Sequence, residues 1–315
     1  MQSTQILSCC KLSVDRKRLC KRIKIYTGNI CNIRCEFCYN KTHSGFRSFD
    51  EIKHDIDYYH KLGFTSFDFS GGEPTIIKDF PKYISYAKQF GEVSCLTNGT
   101  KFRDFNYLKL CRDLGLSEIL FSVHALDKEL YYKMTKGNLD HLLQAMQNAK
   151  ALGILIRINV TVYDKTDLSR YAEFFNEFKP FQINFIVLNY FENAINFERQ
   201  NILNNCNKIK DCIDKLDKSI EINVRYAPFC YMQGYEKYVK DYFQHLYDLH
   251  DWSMISYSTE KYETEEQADL ACAEIAKQHR LDSFYKPSQC RKCKYFFDCD
   301  GLKSKDLKPF PILKS

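Results

Sequence analysis

The segment RIKIYTGNICNIRCEFCYN, residues 22–40, begins with a short strand pattern and continues into a loop that holds three cysteines. Isoleucines alternate with polar residues at its start, as in a β-strand. Cys31, Cys35 and Cys38 follow in the loop, so their sulfurs can converge without a helix that imposes their spacing. Three thiolates can hold a 4Fe-4S cluster and leave the fourth iron open to a ligand that is not protein.

A zinc site is the alternative interpretation of these cysteines. Zinc prefers four nitrogen or sulfur ligands, which usually come as two close pairs. No second pair of Cys or His residues lies near the triplet, although His43 could supply a fourth ligand. The residues by themselves therefore leave zinc open and favour the cluster.

A second motif, Gly71-Gly72-Glu73-Pro74, directly follows another strand-like stretch. Glycines permit close approach to the backbone, and a carboxylate complements an ammonium group. The motif therefore predicts a binding site for the amino group of an amino acid. Because such sequences also form ordinary turns, the prediction depends on the cysteine triplet upstream.

Together, the two motifs resemble those of the radical S-adenosylmethionine (radical SAM) enzymes, whose signature is CxxxCxxC with an aromatic residue, here Phe37, before the last cysteine. The resemblance implies a 4Fe-4S cluster whose unique iron is chelated by S-adenosylmethionine through its amino and carboxylate groups. It also implies reductive cleavage to a 5′-deoxyadenosyl radical, with the electron supplied by a donor such as flavodoxin or ferredoxin. Glu73 and its two glycines would bind the methionine amino group.

Strands alternate with helices along the chain up to about residue 189. Strands are predicted over 22–27, 66–70, 92–96, 118–123, 154–162 and 182–188, and helices over 48–62, 78–90, 104–114, 140–152 and 168–178. Ser48 and Glu51 form a capping-box pattern at the first helix. The alternation predicts an α/β fold with a parallel sheet and right-handed crossovers. The resemblance implies an open (β/α)6 partial TIM-like barrel.

Ligands of such sheets bind at the carboxyl ends of the strands. The residues expected to contact the cofactor are Phe37, Tyr39, Gly71, Gly72, Glu73, Pro74, Asn98, Ser122, His124, Asn159, Val187 and Leu188. By resemblance, Ser122 and Asn159 hydrogen-bond the ribose and the methionine carboxylate, the sixth strand meets the adenine with its backbone, and Phe37 and Tyr39 flank the adenine. For His124, a role that merely caps its strand is an equal alternative.

Beyond residue 189 the alternation stops. A polar helix is predicted over 194–218, a strand over 219–225 and a charged helix over 260–279. The domain boundaries expected from this pattern are an N-terminal extension at 1–21, a core at 22–190 and a C-terminal cysteine-rich region at 191–315.

The C-terminal region contains a second cysteine group, Cys290, Cys293 and Cys299. It can be half of a zinc ribbon, but with one distant thiol it also supplies the four thiolates of a closed cluster. It resembles the SPASM or shorter twitch extensions of radical SAM enzymes, which carry auxiliary Fe-S clusters. The expected fourth ligand is Cys230, and Cys272 is the alternative.

The full SPASM pattern has a further cysteine where this chain has Lys303. It also has a CxnGxxxxC segment, and Cys230 is followed by Gly234 without the closing cysteine. We therefore expect one auxiliary cluster, of the 4Fe-4S type. Placed near the substrate, it would accept an electron and favour net oxidation.

Composition fits an enzyme of the cytoplasm. The chain has 315 residues with 15 cysteines, and its N-terminus has no apolar signal segment, which argues against a disulfide framework. No apolar run is long enough for a membrane span. The net charge of +6 is spread along the chain, so nucleic acid is not an expected partner.

Two classes of substrate compete. Peptide maturases of this type carry a leader-binding domain ahead of the barrel, and about twenty residues here are too few for one. The favoured substrate is therefore a small molecule, of the sugar or aminocyclitol type. The alternative is a peptide delivered by a separate leader-binding partner. A non-catalytic protein with two structural zinc sites is the third hypothesis.

Several polar residues are candidates for facing the substrate cavity. These candidates are Asp68, Arg157, Tyr190, Arg225 and Tyr226. The cation of Arg225 beside Tyr226 would suit an anionic group of the substrate. Each of these residues fits a sheet face or the surface equally well.

Overall fold

The structure, a computed structural model, describes residues 15–40, 42–188, 201–241 and 246–302. Cys9, Cys10 and the candidate cavity residue Tyr190 lie outside these ranges, as does the start of the polar helix predicted over 194–218. Among the described residues, no helix combines the length and the apolar character that a membrane span requires.

One parallel sheet organises the described chain, and its strand order follows the sequence. The strands are β1 Arg22–Tyr26, β2 Ser66–Ser70, β3 Glu92–Thr97, β4 Leu116–Ser122, β5 Leu155–Val162, β6 Gln182–Val187, β7 Glu221–Arg225 and β8 Val239–Lys240. The sheet curls into a half-barrel with helices against it. This arrangement confirms the predicted α/β class and all six predicted strands.

The helices lie between these strands and after them. They are α1 Phe49–Lys61, α2 Phe80–Ala87, α3 Phe105–Asp113, α4 Lys128–Thr135, α5 Leu139–Ala151, α6 Tyr171–Phe178, α7 Ile202–Ile213 and α8 Glu265–Ser283. The capping box of α1 is present, since the Ser48 side chain accepts from the backbone N–H of Glu51 and the Glu51 side chain accepts in return. Helix α4 was not predicted from the sequence.

The sheet extends past the predicted end of the core. β7 pairs in parallel with β6, and the two-residue β8 pairs with β7. Helix α7 forms the crossover, because Ile202, Ile209 and Ile213 give an otherwise polar helix a buried stripe. The predicted strand at 219–225 is therefore part of the barrel sheet. A domain boundary at 190 stays a prediction, and it would divide this sheet.

The two faces of the strands differ in chemistry. In β1, Ile23 and Ile25 are fully buried in the hydrophobic core, whereas Lys24 lines an internal cavity. Deep on the same inner face, the two terminal guanidinium nitrogens of Arg22 donate to the Glu118 carboxylate at 2.7 Å, and Arg157 donates to it at 2.8 Å. Loss of one partner of such a buried network costs about 3–5 kcal/mol. The inner face of the barrel therefore carries buried charged groups that pair with one another.

Candidate functional site

The Gly71-Gly72-Glu73 turn packs directly against the start of the cysteine loop. The backbone N–H of Gly72 donates to the Gly28 carbonyl at 2.8 Å, and that of Glu73 donates to the Ile30 carbonyl at 2.7 Å. A Cβ on Gly72 would lie 2.1 Å from the Ile30 oxygen. Glycine is therefore required here for contact between two loops, a reason different from the ligand approach that the sequence indicated.

The three cysteines of the loop share one environment. Cys31, Cys35 and Cys38 are partly exposed free thiols, and all three line the cavity. Burial raises the pKa of Cys31 to about 11, and the nearby Glu73 and Cys38 add to that shift. Burial also raises the pKa of Cys35, with further contributions from Cys38 and Cys31. The three sulfurs therefore lie close enough to influence one another, as a shared cluster requires.

Glu73 is buried, at 1% exposure, and lines the same cavity. Its carboxylate accepts from the hydroxyls of Thr75 at 2.5 Å and Thr97 at 2.6 Å, and from the backbone N–H of Asn98 at 2.7 Å. Burial raises its pKa, against these hydrogen bonds. Within the described residues it has no ion-pair partner, and an ammonium ligand would complement such a carboxylate.

Asn98 connects the end of β3 to the cysteine loop. Its amide nitrogen lies 4.0 Å from the Cys31 sulfur and donates to the Asn32 side chain at 2.8 Å. The side-chain oxygen accepts from the backbone N–H of Thr100 at 3.0 Å. Asn98 therefore contacts the cysteine loop directly, whereas the sequence predicted only that it would contact the cofactor from a strand end.

His124 holds the last part of the cysteine loop through an aromatic contact. The Phe37 ring meets the His124 ring edge-on, with 4.7 Å between their centres. The imidazole Nδ1 accepts from the backbone N–H of Thr161 at 3.2 Å. Burial lowers the His124 pKa to about 3, so the ring is neutral at physiological pH. It lines the cavity and also joins β4 to β5.

A row of polar side chains crosses three neighbouring strands. Ser122 of β4 stands in register with Asn159 of β5, which stands in register with Asn184 of β6. All three line the cavity. Sequence reasoning predicted the first two and missed Asn184, although its place two residues after Gln182 on a strand with period-2 alternation was a usable signal.

The remaining predicted cofactor residues occupy different places. Leu188 lines the cavity and Tyr39 does so with 62% exposure, whereas Val187 is fully buried in the hydrophobic core. Pro74 is buried at the start of a short 3-10 turn. The cavity is thus lined by Asn184 and Ile186 of β6 and by Leu188, which directly follows that strand.

The cavity has a volume of about 610 Å³ and reaches from the cysteine loop down to the inner face of the sheet. Both arginines that the sequence placed there, Arg157 and Arg225, line it. Arg157 is bound to Glu118, while Arg225 binds Asp251 and lies 3.4 Å from Asp248. Their positive charges are therefore largely compensated within the protein.

The second cysteine group lies in a loop closed by paired backbone hydrogen bonds between Tyr285 and Leu302, at 2.6 and 2.8 Å. Burial raises the pKa of the Cys290 thiol, and the nearby Cys299 and Cys293 raise it further. Cys290 therefore lies near both of the other cysteines.

The predicted fourth ligand lies beside this group. The Cys299 sulfur accepts from the backbone N–H of Phe229, the residue before Cys230, and the Phe229 ring lies 5.0 Å from that of Tyr295. Cys272 has other neighbours: its sulfur lies 2.9 Å from the Ser253 hydroxyl, and it is buried in α8. These contacts favour Cys230 over Cys272.

A single metal ion has no ready site in the ranges that the structure describes, because no three His, Cys, Asp or Glu side chains converge tightly enough to hold one. The thiolates of a 4Fe-4S cluster bind different irons, so they need not meet at one point.

A profile described as the Radical SAM superfamily matches residues 25–177. A probable GTP 3',8-cyclase from Methanococcus aeolicus is 30% identical over 156 residues, which cover 46% of this chain and 52% of the relative. A GTP 3',8-cyclase from Alkaliphilus metalliredigens is 26% identical over 208 residues, or 62% of this chain and 64% of the relative. The chain thus spans about half to two thirds of these curated relatives.

Among solved structures, Streptococcus suis SuiB bound to S-adenosylmethionine superposes with a TM-score of 0.64 over 95% of this chain and 77% of SuiB. SuiB bound to its precursor peptide SuiA gives 0.63, with coverages of 94% and 75%. Sequence identity is 14% and 15%, respectively, so these similarities concern the fold.

Proposed function

Residues 25–177 place this chain in the radical SAM superfamily, and from that premise we propose that it cleaves S-adenosylmethionine reductively and abstracts hydrogen from a carbon of a bound substrate. The observation that carries the proposal is the cavity, which is lined jointly by the three cysteines, the Gly-Gly-Glu turn and the polar ends of the strands. A volume of about 610 Å³ lies in the range of small-molecule sites.

The residues of the site fit the cluster and its ligand. The thiols of Cys31, Cys35 and Cys38 lie close together and would bind three of the four irons. The buried Glu73 carboxylate would pair with the methionine amino group. When bound, the cluster and S-adenosylmethionine supply one electron and a primary carbon radical. Ser122 and Asn159 offer hydrogen bonds to the nucleoside, as the resemblance implies.

The protein controls where that chemistry takes place. Leu96, Leu120, Ile186 and Leu188 form an apolar part of the cavity wall, which limits water near the reacting atoms. The polar groups around them fix the orientation of the bound molecules. The reactive chemistry belongs to the cofactor, while the protein determines which hydrogen is presented.

The substrate that we propose is a small molecule. The comparisons do not support the sugar or aminocyclitol favoured by the sequence, and two curated relatives are named GTP 3',8-cyclases. GTP is therefore the first substrate to test. A peptide delivered by a partner is the second candidate, because SuiB, whose fold is similar over 94% of this chain, has been captured with a precursor peptide.

We also propose one auxiliary Fe-S cluster, held by Cys230, Cys290, Cys293 and Cys299. The proximity of Cys290 to Cys293 and Cys299 and the contact of Phe229 with Cys299 support it. Net oxidation of substrate through this cluster, and reduction of the first cluster by a flavodoxin or ferredoxin, belong to the same proposal.

Anaerobic reconstitution with iron and sulfide tests the proposed function. Reconstituted protein with S-adenosylmethionine and dithionite should form 5′-deoxyadenosine, and Cys35→Ala should form none. Cys212→Ala is the matched control, because Cys212 is a buried thiol of α7 outside the cavity lining. Wild-type protein that binds only zinc and yields no deoxyadenosine would refute the proposal.

A further inference from the structure

The inner face of β1 presents a lysine to the cavity. Lys24 is half-buried and lines the same space as the three cysteines. The other lysine and arginine side chains described along this wall, Arg157 and Arg225, are paired with Glu118 and with Asp251, respectively. Within the described ranges, Lys24 has no carboxylate oxygen at ion-pair distance, so its charge is available to a ligand.

Two aromatic rings hold the Lys24 ammonium in place. Its nitrogen lies 4.7 Å from the centre of the Trp252 ring and 4.9 Å from that of Tyr257. Both rings also line the cavity. Contacts of this type stabilise a cation but leave its N–H groups unsatisfied. The ammonium is thus positioned, and it keeps hydrogen-bond donors for a further partner.

The nearest carboxylates are engaged elsewhere. Asp68 accepts from the Ser94 hydroxyl at 2.7 Å and from the Trp252 indole N–H. Asp251 accepts from Arg225 and from the backbone N–H of Trp252, the latter at 2.8 Å. Both attract Lys24 at longer range, while burial lowers its pKa. The hydrogen bonds from Trp252 to Asp68 and Asp251 hold the indole ring over Lys24, and they leave the lysine charge without a carboxylate at ion-pair distance.

We propose that Lys24 binds an anionic oxygen group of the substrate, a phosphate or a carboxylate, at the base of the cavity. This inference rests on the proposed function and names the substrate chemistry at that same site. An anion held there lies deep in the barrel, so the rest of the molecule extends from the base toward the cysteine loop. The carbon that loses hydrogen is then at the end of the substrate away from its charge.

The chain carries a built-in reporter for this site, since Trp252 is its single tryptophan. Reconstituted wild-type protein is titrated with pyrophosphate, with GTP and with succinate while tryptophan fluorescence is recorded. An anion that binds Lys24 should change the Trp252 signal. Lys24→Met should weaken that binding by about tenfold or more, because a charge-assisted hydrogen bond is lost. Lys24→Arg should retain it.

Lys237→Met is the matched control, because Lys237 also lies over an aromatic ring, that of Tyr238 at 4.8 Å, but outside the described cavity lining. It should bind like the wild type. A response to pyrophosphate and GTP assigns a phosphate group, and a response to succinate alone assigns a carboxylate. No response to any of the three anions, or equal affinity in Lys24→Met, would overturn the inference.

Deoxyadenosine formation by the wild type is measured in parallel without substrate. Cleavage without anion binding would refute the role of Lys24 and leave the proposed function standing. Anion binding without cleavage would refute the proposed function and retain Lys24 as an anion site.

Discussion

The two cysteine loops of this chain are attached in different ways. The first, residues 31–38, is held against the half-barrel by the Gly72 backbone, by Asn98 and by the ring contact of Phe37 with His124. The second, around residues 290–299, is closed on itself by the Tyr285–Leu302 pair and contacts Phe229. The described cavity lining includes the sulfurs of the first loop and none of the second.

This difference indicates a division of roles. A metal group in the first loop would face both cofactor and substrate, so its geometry must be set by the barrel. A group in the second loop would act through electron transfer or through local stability, because the second loop is not part of the described cavity lining. Variants that affect one loop and spare the other test the distinction.

The largest effect is expected from removal of a ligand in the first loop. Cys35→Ala should abolish deoxyadenosine formation, a loss of at least about 100-fold, and remove about four irons per chain. Cys293→Ala should remove a similar amount of iron yet retain cleavage that is uncoupled from product formation. Iron analysis and product quantification check both. Loss of the first cluster in Cys293→Ala would contradict the assignment of the two cysteine groups.

Substitution of a glycine that packs against one cysteine loop should affect that loop and spare the other. In Gly72→Ala the new Cβ would meet the Ile30 oxygen at 2.1 Å, so the first loop must move, at a cost of about 1–3 kcal/mol and with loss of the first cluster. In Gly301→Ala it would meet the Tyr285 oxygen at 2.8 Å and disturb only the second loop. Thermal unfolding and iron content measure both effects.

Gly234→Ala is the control for backbone conformation. Its φ of +83° is unfavourable for alanine, but no atom lies within 4 Å of the added Cβ. It should cost about 1 kcal/mol and leave both iron contents unchanged. An iron loss in Gly234→Ala equal to that in Gly301→Ala, whose φ is also positive at +113°, would mean that strain, and not contact with Tyr285, explains the Gly301→Ala result.

The buried His124, which contacts the first cysteine loop through Phe37, should make the stability of the protein sensitive to acid. Its pKa is about 3 in the folded protein and about 6.5 when unfolded, so the unfolded state binds more protons between these values. Stability should therefore fall with decreasing pH from about 6.5, by about 1.4 kcal/mol per pH unit from this group. Urea denaturation of metal-free protein from pH 6.5 to 4.5 should show a smaller slope for His124→Gln. Identical slopes would show that His124 is not the group responsible.

The smallest effect is expected at Asn98. Asn98→Ala removes the amide near the Cys31 sulfur and the hydrogen bond to Asn32, which together contribute about 1 kcal/mol. The KM for S-adenosylmethionine should rise by about fivefold with little change in kcat. Asn106→Ala, at an exposed position of α3, should change neither. A kcat loss without a KM change would assign Asn98 a role in the chemical step.

Much of the fold could be predicted because its signals are local. The alternation of strands and helices and the capping box at Ser48 are both recognised within a few residues. The boundary of the sheet was harder to predict, because α7 looks polar and its buried stripe, with Ile202 and Ile209, appears only against the barrel. The two strands after it extend a sheet that was expected to end near residue 189.

In the candidate site, too, local motifs could be predicted from the sequence, whereas contacts between distant segments could not. Cysteine spacing and the Gly-Gly-Glu motif predicted a cluster site and its ligand, and the structure brings both motifs to one cavity. Arg225 was a candidate cation for an anionic group, but the tertiary structure pairs it with Asp251, and our proposal gives that role to Lys24. Trp252, which contacts Lys24, comes from more than 200 residues away in the sequence.

The sequence by itself determined the class of fold, the thiols and the turn that could bind an amino acid. The reason is that the spacing of residues along the chain and the chemistry of their side chains are properties of short segments. Only the tertiary structure decided which charges are compensated and which stay open to a ligand. Compensation depends on distances between strands and loops that are remote in the chain, and folding alone brings them together.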